Sequence, residues 1–133
     1  MNILVKGNNW LGDAVMSLPT LRSLKTMMPR SRVTVLTKPA FADLYRGAPY
    51  VDEVLSHERG GMAVWMRTIK ELKKKRFDAA LVLPRSFSAA FLAWSVRVPR
   101  RIGYPDGPRT KLLTETPAPI ERSHRVYHYH HLL

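Results

Sequence analysis

Residues 78–83 read Asp-Ala-Ala-Leu-Val-Leu, and this run constrains the fold more than any other stretch of the chain. It is too short for a buried helix and lacks the polar alternation of a strand with one wet face. A run of this kind predicts a central strand of a parallel sheet, covered on both sides. Parallel strands need crossovers of a dozen residues or more, usually helical. The rest of the chain supplies them.

Asn2 to Lys6 is a short apolar run ended by Gly7 and predicts the first strand. A helix is expected from Gly12 to Met28, with Val15, Leu18, Leu21 and Met28 on one face. Pro19 should kink or restart it, and Pro29 closes it. Arg32 to Thr37 is rich in β-branched residues and predicts the second strand. Ala40 to Gly47 predicts a short helix, Val51 to Leu55 a third strand, and Met62 to Arg76 a helix with Ile69 and Leu72 inward. Ser86 to Val98 predicts a helix N-capped by Ser86. Ile102 and Gly103 form a minimal fifth strand. Tyr104 to Ile120 carries Pro105, Pro108, Pro117 and Pro119 and is expected to be an irregular connector, with a last helix from Ser123 onward.

The expected fold class is therefore α/β: a Rossmann-like open parallel sheet with helices on both faces. Right-handed crossovers make 3-2-1-4-5 the natural strand order. Ligands of such sheets bind beyond the carboxyl ends of the strands, where the order reverses. Here that point lies between the first and fourth strands, so the loops after Lys6 and Leu83 should face one crevice.

One domain accounts for 133 residues. There is no cysteine, hence no disulfide framework. The apolar opening is too short for a signal peptide, and no window approaches the ~20 apolar residues that span a bilayer. These features lead us to expect a cytoplasmic protein. The formal charge of +12 favours polyanionic partners, whether nucleic acid, lipid headgroups or a phosphorylated sugar.

Two loops carry candidate chemistry. The first reads Gly7-Asn8-Asn9-Trp10-Leu11-Gly12-Asp13. Its glycines let backbone approach a ligand, and a helix N-terminus follows. It is neither a P-loop nor a dinucleotide fingerprint: Gly12 precedes Asp13-Ala14, and Asn9 stands where a second glycine would be. Asp13 is either a first-turn carboxylate favoured by the helix dipole or a general base in the crevice. The second loop reads Leu83-Pro84-Arg85-Ser86-Phe87-Ser88, where Arg85 is placed to grip a carboxylate or phosphate. Arg97, Arg100, Arg101, Arg109 and Lys111 are candidates to line a groove for an anionic acceptor. Lys73 to Arg76 reads as a solvated helix end. His124, His128 and His131, with His130 beside them, have helical spacing. Without an accompanying carboxylate they read as a helix end and not a metal site.

The stretch Asn2-Ile-Leu-Val-Lys-Gly-Asn-Asn-Trp-Leu-Gly-Asp13-Ala-Val-Met-Ser-Leu-Pro19 resembles the opening of the bacterial lipopolysaccharide heptosyltransferases of glycosyltransferase family 9, the heptosyltransferase II group in particular. Phe77-Asp78 through Phe87 is similar to a second stretch of that family. Arg101 to Tyr104 with Leu112 to Thr114, and His124 to Tyr127 with Leu132-Leu133, are similar to two more. The resemblance implies the N-terminal half of a two-domain GT-B enzyme that moves heptose from ADP-heptose to the lipopolysaccharide inner core. It implies Asp13 as catalytic base in an inverting displacement that uses no metal and no cofactor. Acceptor contacts are expected from Gly12, Asn9, Trp10, Arg85, Ser86, Arg101 and Arg109. The enzyme is expected at the cytoplasmic face of the inner membrane, peripherally bound. Residues 1–133 contain no counterpart of the family's ADP-heptose-binding domain, so this chain alone is not expected to turn over.

Two other readings compete: a basic nucleic-acid-binding module and a stand-alone nucleotide-binding Rossmann module. The first needs aromatic platforms among basic residues, and Trp10, Trp65 and Trp94 stand isolated in the sequence. The second is opposed by the defective glycine pattern.

Overall fold

The structure, a computed structural model, describes residues 1–7, 10–56 and 60–116. Five strands, β1 (Asn2–Lys6), β2 (Arg32–Thr37), β3 (Glu53–Ser56), β4 (Ala79–Val82) and β5 (Arg100–Gly103), form one sheet. All neighbours are parallel, and the order is β3-β2-β1-β4-β5, as the crossover rule requires. β1 is central, with Ile3 opposite Val33 on one side and Ala79 on the other.

Helices α1 (Leu11–Met27) and α2 (Ala42–Arg46) lie on one face, α3 (Met62–Lys74) and α4 (Phe87–Ser95) on the other. Strand side chains alternate between faces, so each strand feeds two cores. Ile3, Val5, Val33 and Val35 pack with Leu21 and Leu24 of α1 and Tyr45 of α2. Leu4, Leu36, Ala80 and Val82 pack with Ile69 and Leu72 of α3 and Leu92 and Ala93 of α4. Each fully buried Leu, Ile or Val contributes roughly 1.5–3 kcal/mol.

Several boundaries and faces differ from expectation, for physical reasons. The buried face of α1 is Asp13, Ala14, Ser17, Thr20, Leu21 and Leu24, while Val15 is exposed. Small and hydroxyl-bearing residues make up most of this buried face. Ser17 Oγ donates to the Ala14 carbonyl at 2.6 Å and lies 3.2 Å from the buried Tyr45 hydroxyl. Its polar atoms are therefore satisfied where the sequence offers no apolar stripe. Pro19 does not restart the helix, which runs unbroken for 17 residues. Pro19 and Val15 are both exposed, so the carbonyl deprived of its donor lies on the solvent side.

Lys75 is not merely a solvated helix end: its Nζ donates to both Glu53 carboxylate oxygens, at 2.8 and 3.0 Å. That bond, opposed by partial burial and aided by Arg32, holds the Glu53 carboxyl below its ordinary value. The connector after β5 is built too. A 3₁₀ segment, Gly107–Leu112, returns the chain to the sheet edge, where Gly103 N–H donates to the Glu115 carbonyl at 3.1 Å. The helix expected from Ser123, with His124, His128, His130 and His131, lies outside the described residues.

Candidate functional site

The strand order reverses between β1 and β4, and at the sheet's carboxyl edge the described ends of the two loops lie side by side. Lys6 pairs with Val82, and Leu83 N–H reaches the Lys6 carbonyl at 3.4 Å. Gly7 pins the first loop, donating to the Leu36 carbonyl at 2.8 Å. A Cβ on Gly7 would lie 3.2 Å from that carbonyl oxygen, so the close approach needs glycine.

Asp13 enters this edge from the first turn of α1, with its residue surface 9% exposed. The helix begins after Trp10, whose carbonyl accepts from Ala14 N–H at 2.9 Å while its side chain stays exposed. Gly12 is exposed, and a Cβ there would meet nothing within 4 Å. No packing demand requires a glycine at Gly12. What its missing side chain provides is open access to the helix N-terminus beside Asp13. Asn9 lies outside the described residues.

On the β4 side, Ser86 caps α4, its Oγ accepting from Ala89 N–H at 3.3 Å. Arg85 is exposed, and its guanidinium carbon sits 5.3 Å from the centre of the Tyr104 ring. Stacking on Tyr104 fixes the plane of a side chain that would otherwise sweep freely.

Arg109 occupies a different place from the one its charge suggested. It is 1% exposed, and Nη1 donates to the carbonyls of Pro84 and of Ser86, the latter at 3.0 Å. Its Nε and Nη2 have no hydrogen-bond partner among the described residues. Burial pulls its guanidinium below the ordinary value, Asp106 opposing this and Arg85 adding to it. Arg109 thus braces the loop that carries Arg85 and Ser86, from behind. Arg101 is likewise committed to backbone: Nε donates to the Leu112 carbonyl at 2.6 Å and Nη1 to that of Val98 at 2.7 Å. Arg100 pairs with Glu115 at 3.0 Å. The structure brings Asp13, Gly12, Trp10, Arg85 and Ser86 to one edge of the sheet, and holds Arg101 and Arg109 in its frame.

Residues 65–133 match the sequence pattern of Glycosyltransferase family 9 (heptosyltransferase). The chain belongs to this family. Lipopolysaccharide heptosyltransferase 2 of Salmonella typhimurium is 33% identical over 119 residues, covering 86% of this chain and 34% of that protein. The Escherichia coli K12 protein of the same name is 31% identical over the same shares. The chain thus spans about a third of the length of these curated relatives. Among solved structures, E. coli ADP-heptose lps heptosyltransferase II superposes with a TM-score of 0.85 at 29% identity, over 99% of this chain and 40% of that one. An E. coli heptosyltransferase solved with ADP-2-deoxy-2-fluoro heptose superposes at 0.88 over 99% of this chain and 47% of that one; at 16% identity it shares the fold. The five-stranded sheet of this family 9 chain is that of GT-B heptosyltransferases.

Two further residues of this family 9 chain lie at the same edge, although their sequence context does not mark them. Lys6, at the last position of β1, is half-buried, its Nζ 3.4 Å from the Gly7 carbonyl. Desolvation, with the Lys38 charge adding, lowers its pKa to about 8. A lone lysine closing an otherwise apolar central strand was the available signal, since the carboxyl ends of such strands face the crevice. Tyr104, directly after β5, carried no such signal. Its place beneath Arg85 depends on the pairing of two distant loops.

Proposed function

We propose that this chain is the acceptor-binding, N-terminal half of a transferase that moves heptose from ADP-heptose to the lipopolysaccharide inner core. The observation that carries the proposal is a carboxylate, Asp13, held at the switch-point edge behind a bare Gly12, in a chain of family 9. Asp13 accepts the proton of an acceptor heptose hydroxyl as that oxygen attacks the anomeric carbon. The C1–O bond to ADP breaks on the opposite face, and configuration inverts. No metal or cofactor takes part. ADP leaves as a stable anion, and its binding groups belong to a separate, C-terminal domain.

Arg85, rigidified on Tyr104, pairs with a phosphate or carboxylate of the acceptor. Asn9, Trp10, Gly12 and Ser86 border the same acceptor path. Arg101 and Arg109 act through the loops they hold. Lys6, its pKa lowered to about 8, keeps its charge for the most part in neutral solution, which suits a group that meets an anionic substrate. The enzyme works at the cytoplasmic face of the inner membrane, attached peripherally; among the described residues no helix is long and apolar enough to cross a bilayer.

A chimera tests this reading: the chain joined to the ADP-heptose-binding half of the Salmonella relative, assayed with ADP-heptose and a heptose-bearing inner-core acceptor. Transfer of heptose is expected. A folded chimera that binds both substrates yet forms no product would overturn it.

A further inference from the structure

On the α3–α4 face, far round the sheet from α1, lies an apolar patch that the proposed chemistry does not use. Met62 is 73% exposed, Met66 60%, Phe87 53% and Trp94 48%. Phe91 organises them: its ring stacks on Trp65 at 5.8 Å, on Trp94 at 5.7 Å and on Phe87 at 5.9 Å. Trp65 and Trp94, isolated in the sequence, are thus joined in space. Beneath them opens a groove of about 590 Å³ whose other walls include Lys73, Arg97 and Arg101. Among the described residues, no acidic side chain lines it.

Helical spacing explains the pattern. Met62, Trp65, Met66, Ile69 and Lys73 recur at three and four residues, so they share one side of α3. Lys70 and Lys74 lie one step further round and are exposed. The helix therefore presents sulfur and aromatic groups flanked by amines, an arrangement suited to the boundary between headgroups and acyl chains.

We propose that this face is the membrane-docking surface of the protein, taking an anionic phospholipid headgroup layer. The proposal rests on the reading of a peripheral enzyme and assigns that attachment to α3 and α4. Charge complementarity selects the occupant. A second copy would set one basic rim against another, within a chain of net charge +12, and like charges apposed across an interface repel. A single-stranded polynucleotide needs ring platforms spaced along a basic groove, whereas here the rings gather around the single Phe91. Flexible Met62 and Met66 can sink among acyl chains, while Lys70, Lys73 and Arg97 stay with the phosphates.

The test is flotation of the purified chain with phosphatidylethanolamine–phosphatidylglycerol vesicles, beside vesicles of phosphatidylcholine alone. Binding to the anionic vesicles is expected, falling with salt. Met62→Ser with Met66→Ser and Trp94→Ser should weaken it about tenfold or more. Lys70→Gln and Lys73→Gln, on the helix surface, should each weaken it roughly fivefold. Val15→Ser, an exposed apolar position on the opposite face, should leave it unchanged, and circular dichroism confirms that each variant folds. Equal binding by wild type and patch variants overturns the proposal. So does a wild-type dimer that the patch variants dissociate, or displacement from vesicles by an oligonucleotide that binds through the same residues. Vesicle binding needs no sugar substrate. Turnover of a delipidated acceptor by the chimera tests the underlying reading separately, and the patch variants should retain it.

Discussion

Arg109 packs against Gly103 so closely that a Cβ on the glycine would lie 2.7 Å from Nη2. The same guanidinium holds the carbonyls of Pro84 and Ser86, across 25 and 23 residues of sequence. The end of β5, the 3₁₀ segment and the β4–α4 loop are thereby locked through one side chain. Gly103→Ala must push this cation off its carbonyls, and overpacking of this kind costs about 1–3 kcal/mol. Denaturant titration should show that loss, with a parallel loss in Arg109→Leu as the two carbonyls lose their donor. The double variant should fall short of the sum, because both changes break one contact. Full additivity would mean that the glycine and the arginine act independently.

Lys6 makes a pH prediction. Its folded pKa, about 8, lies below the ordinary 10.5, so the unfolded chain binds more protons between these values. Stability should therefore rise with pH through that window, from a lower plateau below about pH 8. Lys6→Met removes the cost of burying the charge, and should stabilise the chain at pH 7 by roughly 1–3 kcal/mol while flattening the rise. Denaturant melts of both proteins between about pH 7 and pH 9.5 isolate the contribution, since groups common to both cancel in the difference. An unchanged difference between the two proteins over that interval would remove Lys6 from the buried edge.

For Asp13 the expected outcome is kinetic. Asp13→Asn in the chimera should lower kcat about 10²–10⁴-fold, the range typical of general-base loss, with acceptor Kd nearly intact. If the carboxylate served only the dipole of α1, its loss would cost about 1 kcal/mol or less and leave kcat alone. Stopped-time transfer assays, with acceptor binding and melting temperature measured on the same pair, separate the two.

Arg85 is exposed, and its guanidinium rests on the Tyr104 ring, so Arg85→Gln should cost at most about 1 kcal/mol of stability. Its effect should appear instead in affinity for a phosphorylated inner-core fragment, and in a shallower salt dependence, because exposed pairs are screened within roughly 8 Å at physiological ionic strength. Titration calorimetry at several salt concentrations reads both. Affinity that does not depend on salt, in wild type as in variant, would take Arg85 out of acceptor binding.

Some of this molecule was written in local patterns. The apolar run ending at Leu83, the β-branched run from Arg32 and the cap at Ser86 each declare an element through a few neighbouring side chains. Alternation of these elements, with the handedness of crossovers, then leaves few strand orders open, and Gly12-Asp13 falls at the reversal without any coordinate being known. The resemblance to family 9 rests on the same contiguous stretches. What periodicity could not supply was the partner of each face. Val15 looks like a core position of α1 and is exposed, because the helix turns Ala14, Ser17 and Thr20 inward instead. Arg109 looks like a surface cation and is buried, because Pro84 and Ser86 offer carbonyls only once β4 and β5 lie side by side. Trp65 and Trp94 become one cluster only when α3 and α4 are laid on the same face. Periods and caps belong to neighbours along the chain, so sequence alone determined the elements, their order and the edge where Asp13 sits. Burial, desolvation and ring contact arise between segments far apart along it, so only the tertiary structure decided which charges brace the site, which lysine loses its water and which face stays bare.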